Sequence, residues 1–281
     1  MKVAIIGVGL IGGSIGLSIK NSAASKLKIR NVTGIGRNIE RLRLAKKLGA
    51  VDKITTSLKD GVKDADVVFV CIPVSLIAKK VKEILPFCKP SCIITDVGSV
   101  KKPIVEEVKK FLSPVPYPLS PAFIGGHPIA GAEKTSVRFA TANLFKHSVI
   151  ILTPTRKTKK AALLVIKNIW ENLGGTVKIT SPEMHDKILS ITSHLPHTVA
   201  FALVNSGDNF EFAGNGFKDT TRIASSDPEM WADIIFNNRT NVRAAVRKFK
   251  KELSKIENTK SKKELADIFK KAKTMRDRMY V

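Results

Sequence analysis

The stretch Val3-Ala-Ile-Ile-Gly7-Val-Gly9-Leu-Ile-Gly12-Gly13-Ser14 restricts this chain more than any other. Apolar, β-prone residues lead without a break into glycines spaced GxGxxG, and the residues that follow carry apolar side chains at helical spacing. A strand that enters such a turn and leaves it as a helix is the opening unit of a dinucleotide-binding fold. Gly7 is expected to allow the tight turn, Gly9 to let the backbone approach a pyrophosphate, and Gly12 to let the helix lie close to the strand. The free N–H groups at the helix start then face the anion.

Up to about Thr180 strand and helix patterns alternate. Apolar β-rich runs occur at Val3 to Ile6, Asn31 to Ile35, Val67 to Ile72, Cys92 to Thr95, Ser148 to Leu152 and Thr176 to Ile179. Helical patterns lie between them, such as Ile39 to Leu48 with Asn38 as cap and Gly49 as stop. The alternation predicts a parallel sheet covered by helices on both faces, with ligands beyond the carboxyl ends of its strands. From Ser181 onward strand signals stop. The fold class is therefore read as α/β, a Rossmann-type dinucleotide-binding domain at 1–180 followed by an all-α domain at 181–281.

Composition narrows the function classes. The 281 residues, 43% of them hydrophobic, can build two domains. The apolar stretch from Ala65 to Ala78 is interrupted by Asp66 and Pro73 and is too short to cross a bilayer. With no signal-peptide pattern before the first strand, a cytoplasmic protein without a membrane partner is expected. Cys71, Cys88 and Cys92 lack metal-ligand spacing and read as reduced, structural thiols. The net charge of +24 suits anionic ligands or a lysine-rich surface. Much of the excess lies in 239–281, where 15 Lys/Arg face 5 Asp/Glu among helically spaced apolar residues. That pattern describes solvated faces of amphipathic helices. Without an aromatic stacking platform or a helix-turn-helix signature, nucleic acid is not expected as a partner.

Candidate site residues cluster where the predicted strands end. An NAD enzyme usually carries Asp or Glu at the end of the second strand, for the ribose 2′-hydroxyl. Here Gly36 stands in that place and Arg37 follows, so NADP is expected, with NAD possible. The candidate cofactor residues are Gly7, Gly9, Leu10, Ile11, Gly12, Arg37, Asn38, Pro73 and Ser99. Ser99 lies in Asp96-Val-Gly98-Ser99-Val-Lys101 and reads equally as the cap of a helix beginning near Lys102. His127, within Gly125-Gly126-His127-Pro128, reads as a loop imidazole left open by its glycines and is a candidate base. Glu183 to Phe210 reads as one long helix, kinked at Pro196, with His194 and His197 on one face. The HxxH spacing has no third ligand, so no metal is assigned. Arg222 and Trp231 fall in short helical segments, where spacing alone fits a surface cation and a core aromatic as well as it fits site residues.

Together these segments resemble the prephenate/arogenate dehydrogenase family of tyrosine biosynthesis. The resemblance rests on GVGLIGGS, DVGSVK at 96–101, GGHPIAG at 125–131, SHLPHTVAFAL at 193–203, FKDTTRIA at 217–224 and DPEMW at 227–231. It implies a homodimer whose helical domain forms the dimer core, and oxidative decarboxylation of prephenate or arogenate. His127 would then bind the substrate's ring hydroxyl, with Ser99 orienting that hydroxyl and the nicotinamide. Arg222 would bind a substrate carboxylate, and His194 and His197 would line the pocket with Glu133 and Trp231 nearby. Relatives of the β-hydroxyacid dehydrogenase and pyrroline-5-carboxylate reductase type, or a basic nucleic-acid-binding protein on the same fold, are the alternatives.

Overall fold

The computed structural model describes residues 1–21, 28–112, 121–131 and 136–280. Its strands are β1 (Lys2–Ile6), β2 (Asn31–Ile35), β3 (Lys53–Thr55), β4 (Val67–Val70), β5 (Ile93–Asp96), β6 (Ala122–Pro128), β7 (Val149–Thr153) and β8 (Thr176–Ile179). They form one sheet in the order β3-β2-β1-β4-β5-β6-β7-β8. The α-helices are α1 (Leu10–Asn21), α2 (Ile39–Lys47), α3 (Leu58–Val62), α4 (Val74–Ile84), α5 (Lys102–Leu112) and α6 (Lys160–Asn172), then α7 (Pro182–Leu189), α8 (Leu195–Asn205), α9 (Asn215–Thr221), α10 (Pro228–Asn237), α11 (Arg239–Glu257) and α12 (Lys262–Asp277). Among the described residues no helix is long and apolar enough to cross a membrane.

The central strands are covered on both faces, which is why they read as unbroken apolar runs. Side chains of β1 alternate between two cores. Val3 and Ile5 pack with Ile15, Phe69, Phe145 and Trp170 on one side. Ala4 and Ile6 pack with Ile77, Val81 and Ile94 on the other. The second core also takes in Trp231 and Ile234 of α10, so the helical region is built into the same apolar mass.

The structure departs from the sequence expectation in three ways. The sheet is not wholly parallel, because β7 runs antiparallel to β6 and only then pairs in parallel with β8. Strands β3 and β6 escape the pattern: β3 has three residues, and β6 carries Gly125, Gly126 and Pro128, residues that ordinarily mark turns. The long helix expected over 183–210 is two helices joined by a π-helical turn at Ser190–His194, ending at Asn205. Pro196 has no N–H to give the carbonyl of Thr192, and the wider turn just before it accommodates that loss.

Strand order reverses between β1 and β4, and ligands of open α/β sheets sit outside the strand ends at such a reversal. Two carboxylates from the helical region dock beside it on helix N-termini. Asp233 of α10 accepts the Ser75 N–H of α4 at 3.0 Å. Asp186 of α7 accepts the Lys101 and Lys102 N–H groups of α5 at 2.7 and 2.9 Å. Negative charge at a helix N-terminus is favoured by the helix dipole and supplies partners to otherwise unpaired donors.

Candidate active site

At the tip of β1 the glycine turn adopts the geometry its spacing predicts. Gly7 has φ +89°, and a side chain there would meet the Cys71 carbonyl oxygen at 2.2 Å. A Cβ on Gly12 would lie 2.2 Å from the Gly7 carbonyl, so α1 seats directly on the turn. Around Gly9 there is open space, at the N-terminus of α1, with Leu10 and Ile11 opening the helix. This cradle fits a dinucleotide pyrophosphate. Arg37 and Asn38 follow β2; Arg37 is exposed, while Asn38 accepts the Arg41 N–H at 2.9 Å and caps α2. Pro73 is exposed where α4 begins, across the strand reversal from Gly7.

Ser99 sits in the turn between β5 and α5, at the same edge of the sheet. It is not the cap of α5. Lys101 occupies that position, its carbonyl accepting the Val105 N–H at 2.9 Å, and Asp186 satisfies the N–H groups of Lys101 and Lys102. The Ser99 hydroxyl is therefore not committed to the helix.

His127 lies on β6, not in a loop, opposite Ile151 of β7. Its glycines serve close packing: a Cβ on Gly126 would come within 2.8 Å of the Asp96 carbonyl oxygen, and one on Gly125 within 2.4 Å of Thr153 Oγ1. Beneath the strand Asp96 and Lys101 form a fully buried ion pair. The Lys101 ammonium also donates to the Gly126 carbonyl at 2.9 Å. Asp96 accepts the N–H groups of Gly98 (2.9 Å) and Gly126 (3.1 Å). One pair of opposite charges thus ties the Ser99 turn to the residue before His127.

Four of the five histidines of the chain converge here. His127 Nδ1 is 2.8 Å from His185 Nε2, and His185 Nδ1 is 2.7 Å from Asp186 Oδ1. His194 Nδ1 accepts from the Asn238 amide at 3.0 Å, which places its proton on Nε2, directed toward the Ser99 backbone without closing a hydrogen bond. His197 stacks on Trp231 with ring centroids 3.4 Å apart, and His194 meets the same indole edge-on at 6.2 Å. Trp231 is thereby a core aromatic packed against both histidines. Arg222, in the turn after α9, acts electrostatically on His197. Glu133 lies outside the described residues.

Burial dominates the electrostatics. It holds His127 well below the ordinary imidazole range, and His185, Lys101 and His194 push the same way. His185 is lowered by burial against the opposing pull of Asp186. His194 is pushed down to about 4, again chiefly by burial. All three are neutral at pH 7, so His127 can accept a proton.

Residues 15–179 match the family model for the nucleotide-binding domain of prephenate dehydrogenase, and residues 181–274 match the model for its dimerization domain. The chain belongs to the prephenate dehydrogenase family. The prephenate dehydrogenase of Bacillus subtilis is 35% identical over 98% of this chain and 74% of its own length. The cyclohexadienyl dehydrogenase of Zymomonas mobilis is 32% identical over 90% of this chain and 86% of its own. The crystal structure of A. aeolicus prephenate dehydrogenase, solved with hydroxyphenyl propionate and NAD+, superposes with a TM-score of 0.89 at 37% identity, covering 99% of this chain and 98% of that one.

Membership of this family and the GxGxxG cradle make the chain a pyridine-nucleotide-dependent oxidoreductase. The sequence reading passed over His185, Asp186, Lys101 and Asn238. Lys101 closes the DVGSVK motif but received no role, whereas His185, Asp186 and Asn238 lie outside the motifs, and a histidine in a helix start carries no local mark of function. Only the distance from His185 to His127 gives it one.

Proposed function

We propose that this chain catalyses the oxidative decarboxylation of prephenate, arogenate or both, in the cytoplasm, yielding 4-hydroxyphenylpyruvate or tyrosine. The observation that carries the reading is the neutral, buried His127 at the ligand edge of the sheet, tied to the Ser99 turn through Asp96 and Lys101, in contact with His185 and within electrostatic reach of His194. When bound, the nicotinamide ring supplies the hydride acceptor. His127 takes the proton of the ring C4 hydroxyl, as the C4–H bond gives up its hydride and the oxygen becomes a carbonyl. Ser99 holds that hydroxyl in line. The C1–carboxylate bond then breaks, its electron pair moves through the ring onto the C4 oxygen, which takes back the proton, and carbon dioxide leaves as the ring becomes aromatic. Arg222 supplies the cation for a substrate carboxylate, and the faces of His197 and Trp231 form an apolar wall beside it.

NADP is the proposed cofactor, on the strength of Arg37 and the missing carboxylate at the end of β2. An Arg37→Ser enzyme is expected to lose affinity for NADP+ by about tenfold, equal to about 1.4 kcal/mol, with NAD+ little affected. Equal losses for both would reject the assignment. We also propose the division at 180/181 and a homodimer built from the helical part. Support comes from Leu253, Phe269 and Met275, large apolar side chains of α11 and α12 that stay exposed in the single chain.

The test is an initial-rate comparison of prephenate and arogenate, each with NAD+ and NADP+, on the purified protein. Turnover of either acid with release of carbon dioxide is expected. Turnover of 3-hydroxy acids, with neither of these consumed, would reject the reading.

A further inference from the structure

A base needs its lone pair on the nitrogen that faces the substrate, so the question for His127 is which nitrogen carries the proton. The answer starts 59 residues further along the chain, at a carboxylate that cannot turn. Both oxygens of Asp186 are committed to the backbone N–H groups of Lys101 and Lys102, and the Asp186 carbonyl is held by Asn238 Nδ2 at 2.8 Å. Asp186 Oδ1 is also 2.7 Å from His185 Nδ1. A carboxylate can only accept, so the proton of neutral His185 sits on Nδ1 and its Nε2 has only a lone pair. That Nε2 is 2.8 Å from His127 Nδ1, which must then be the donor. The proton of neutral His127 is accordingly on Nδ1, and its Nε2, which has no partner among the described residues, bears the lone pair.

Resting on the dehydrogenase reading above, we infer that Asp186 and His185 form a buried positioning pair for His127. The pair holds His127 in the Nδ1–H form, and His185 receives the charge when His127 Nε2 takes a proton from substrate. In that step the hydroxyl O–H bond breaks and a bond to His127 Nε2 forms. The proton on His127 Nδ1 moves to His185 Nε2. The cation ends on His185 against the Asp186 carboxylate, and no electrons change hands within the relay. The surroundings favour that seat. Lys101 opposes a cation on either ring and His194 opposes one on His127, whereas Asp186 and Asp96 both favour one on His185. His185 and Asp186 begin the helical region while His127 ends a strand of the sheet, so the base is set only when the two parts are docked.

Two variants and one spectroscopic measurement test this. In the ligand-free protein, 15N NMR of the imidazoles, assigned with His127→Asn, should show His127 protonated on Nδ1; finding Nε2–H overturns the proposal. In Asp186→Asn the amide oxygen stays where it accepts from both the Lys101 N–H and His185 Nδ1, so the tautomers persist, but the charge that favours a cation on His185 is gone. The Nδ1–H form of His127 is then retained in the NMR spectrum while kcat falls by at least about tenfold, and an unchanged kcat overturns the role of the carboxylate. His185→Gln guards against misfolding at α5: its carbonyl can still accept from His127 Nδ1, so the Nδ1–H form persists, but it cannot take the proton. It should lower kcat by about tenfold with KM for the substrate unchanged, and move the acid limb of the kcat/KM profile to lower pH, because the carboxylate-supported imidazole is gone. An unmoved acid limb, or a loss confined to KM, would mean that His185 only packs. If the wild-type chain turned over neither acid, the functional reading would fail, and the NMR result would still decide the tautomer.

Discussion

Replacing Lys101 by Met tests the charge pair under the candidate base. The stem keeps most of its volume while the ammonium disappears from a site with no exposure to solvent. Asp96 is left as a fully buried carboxylate with the N–H groups of Gly98 and Gly126 but no cation, and the Gly126 carbonyl loses its 2.9 Å partner. Removing one member of a buried ion pair costs about 3–5 kcal/mol, and both members lose partners here, so the upper part of that range is expected. Pairing the change with Asp96→Asn removes the stranded charge, and about half of the loss should return. Urea unfolding at neutral pH measures this. Its signal is the fluorescence of Trp170, which is packed edge-on to Phe69 and Phe145 in the core of the sheet, recorded in a Trp231→Phe background. The reasoning is refuted if Lys101→Met costs less than about 1 kcal/mol, the range of ordinary surface substitutions, or if adding Asp96→Asn makes matters worse.

Three further outcomes can be checked independently. His127→Asn should reduce kcat by about 10²- to 10⁴-fold while dinucleotide binding, followed by fluorescence titration, persists; retained turnover would remove His127 from the chemistry. Gly12→Ala puts a methyl 2.2 Å from the Gly7 carbonyl and 2.9 Å from Ile5, so α1 must lift and cofactor affinity should fall at least about tenfold in the same titration. His194, pushed down to about 4 from 6.5, favours the folded state only while neutral. Its contribution, about 3 kcal/mol at most, is complete above pH 6.5 and is lost as pH falls toward 4. A His194→Gln protein should therefore lose less stability than wild type between pH 7 and pH 4.5, and parallel denaturation curves would contradict this.

The N-terminal half was legible because its signals are local. The strand-turn-helix at Val3 to Ser14 places the anion cradle by backbone geometry alone, and Asn38 caps α2 as its position suggests. The same local reasoning misled at His127. Gly125, Gly126 and Pro128 look like a turn, yet they form a strand whose missing side chains let β6 press against Asp96 and Thr153. At Ser99 it left the cap reading open, because a serine before a helix is a natural cap and the competing carboxylate lies 87 positions away.

What the chain order alone determined is the dinucleotide turn, the alternation of most strands and helices, and the motif set that resembles one family. These depend on neighbours within a few residues, where periodicity and glycine spacing are read directly. Tertiary structure decided which side chains meet: Asp186 on the start of α5, His185 against His127, His197 on Trp231, and a lysine sealed beneath the sheet. The first three pairings join residues 34 to 85 positions apart, and their energy comes from burial and charge in a shared enclosure. No stretch of sequence contains that enclosure until the helical part has closed over the strand ends.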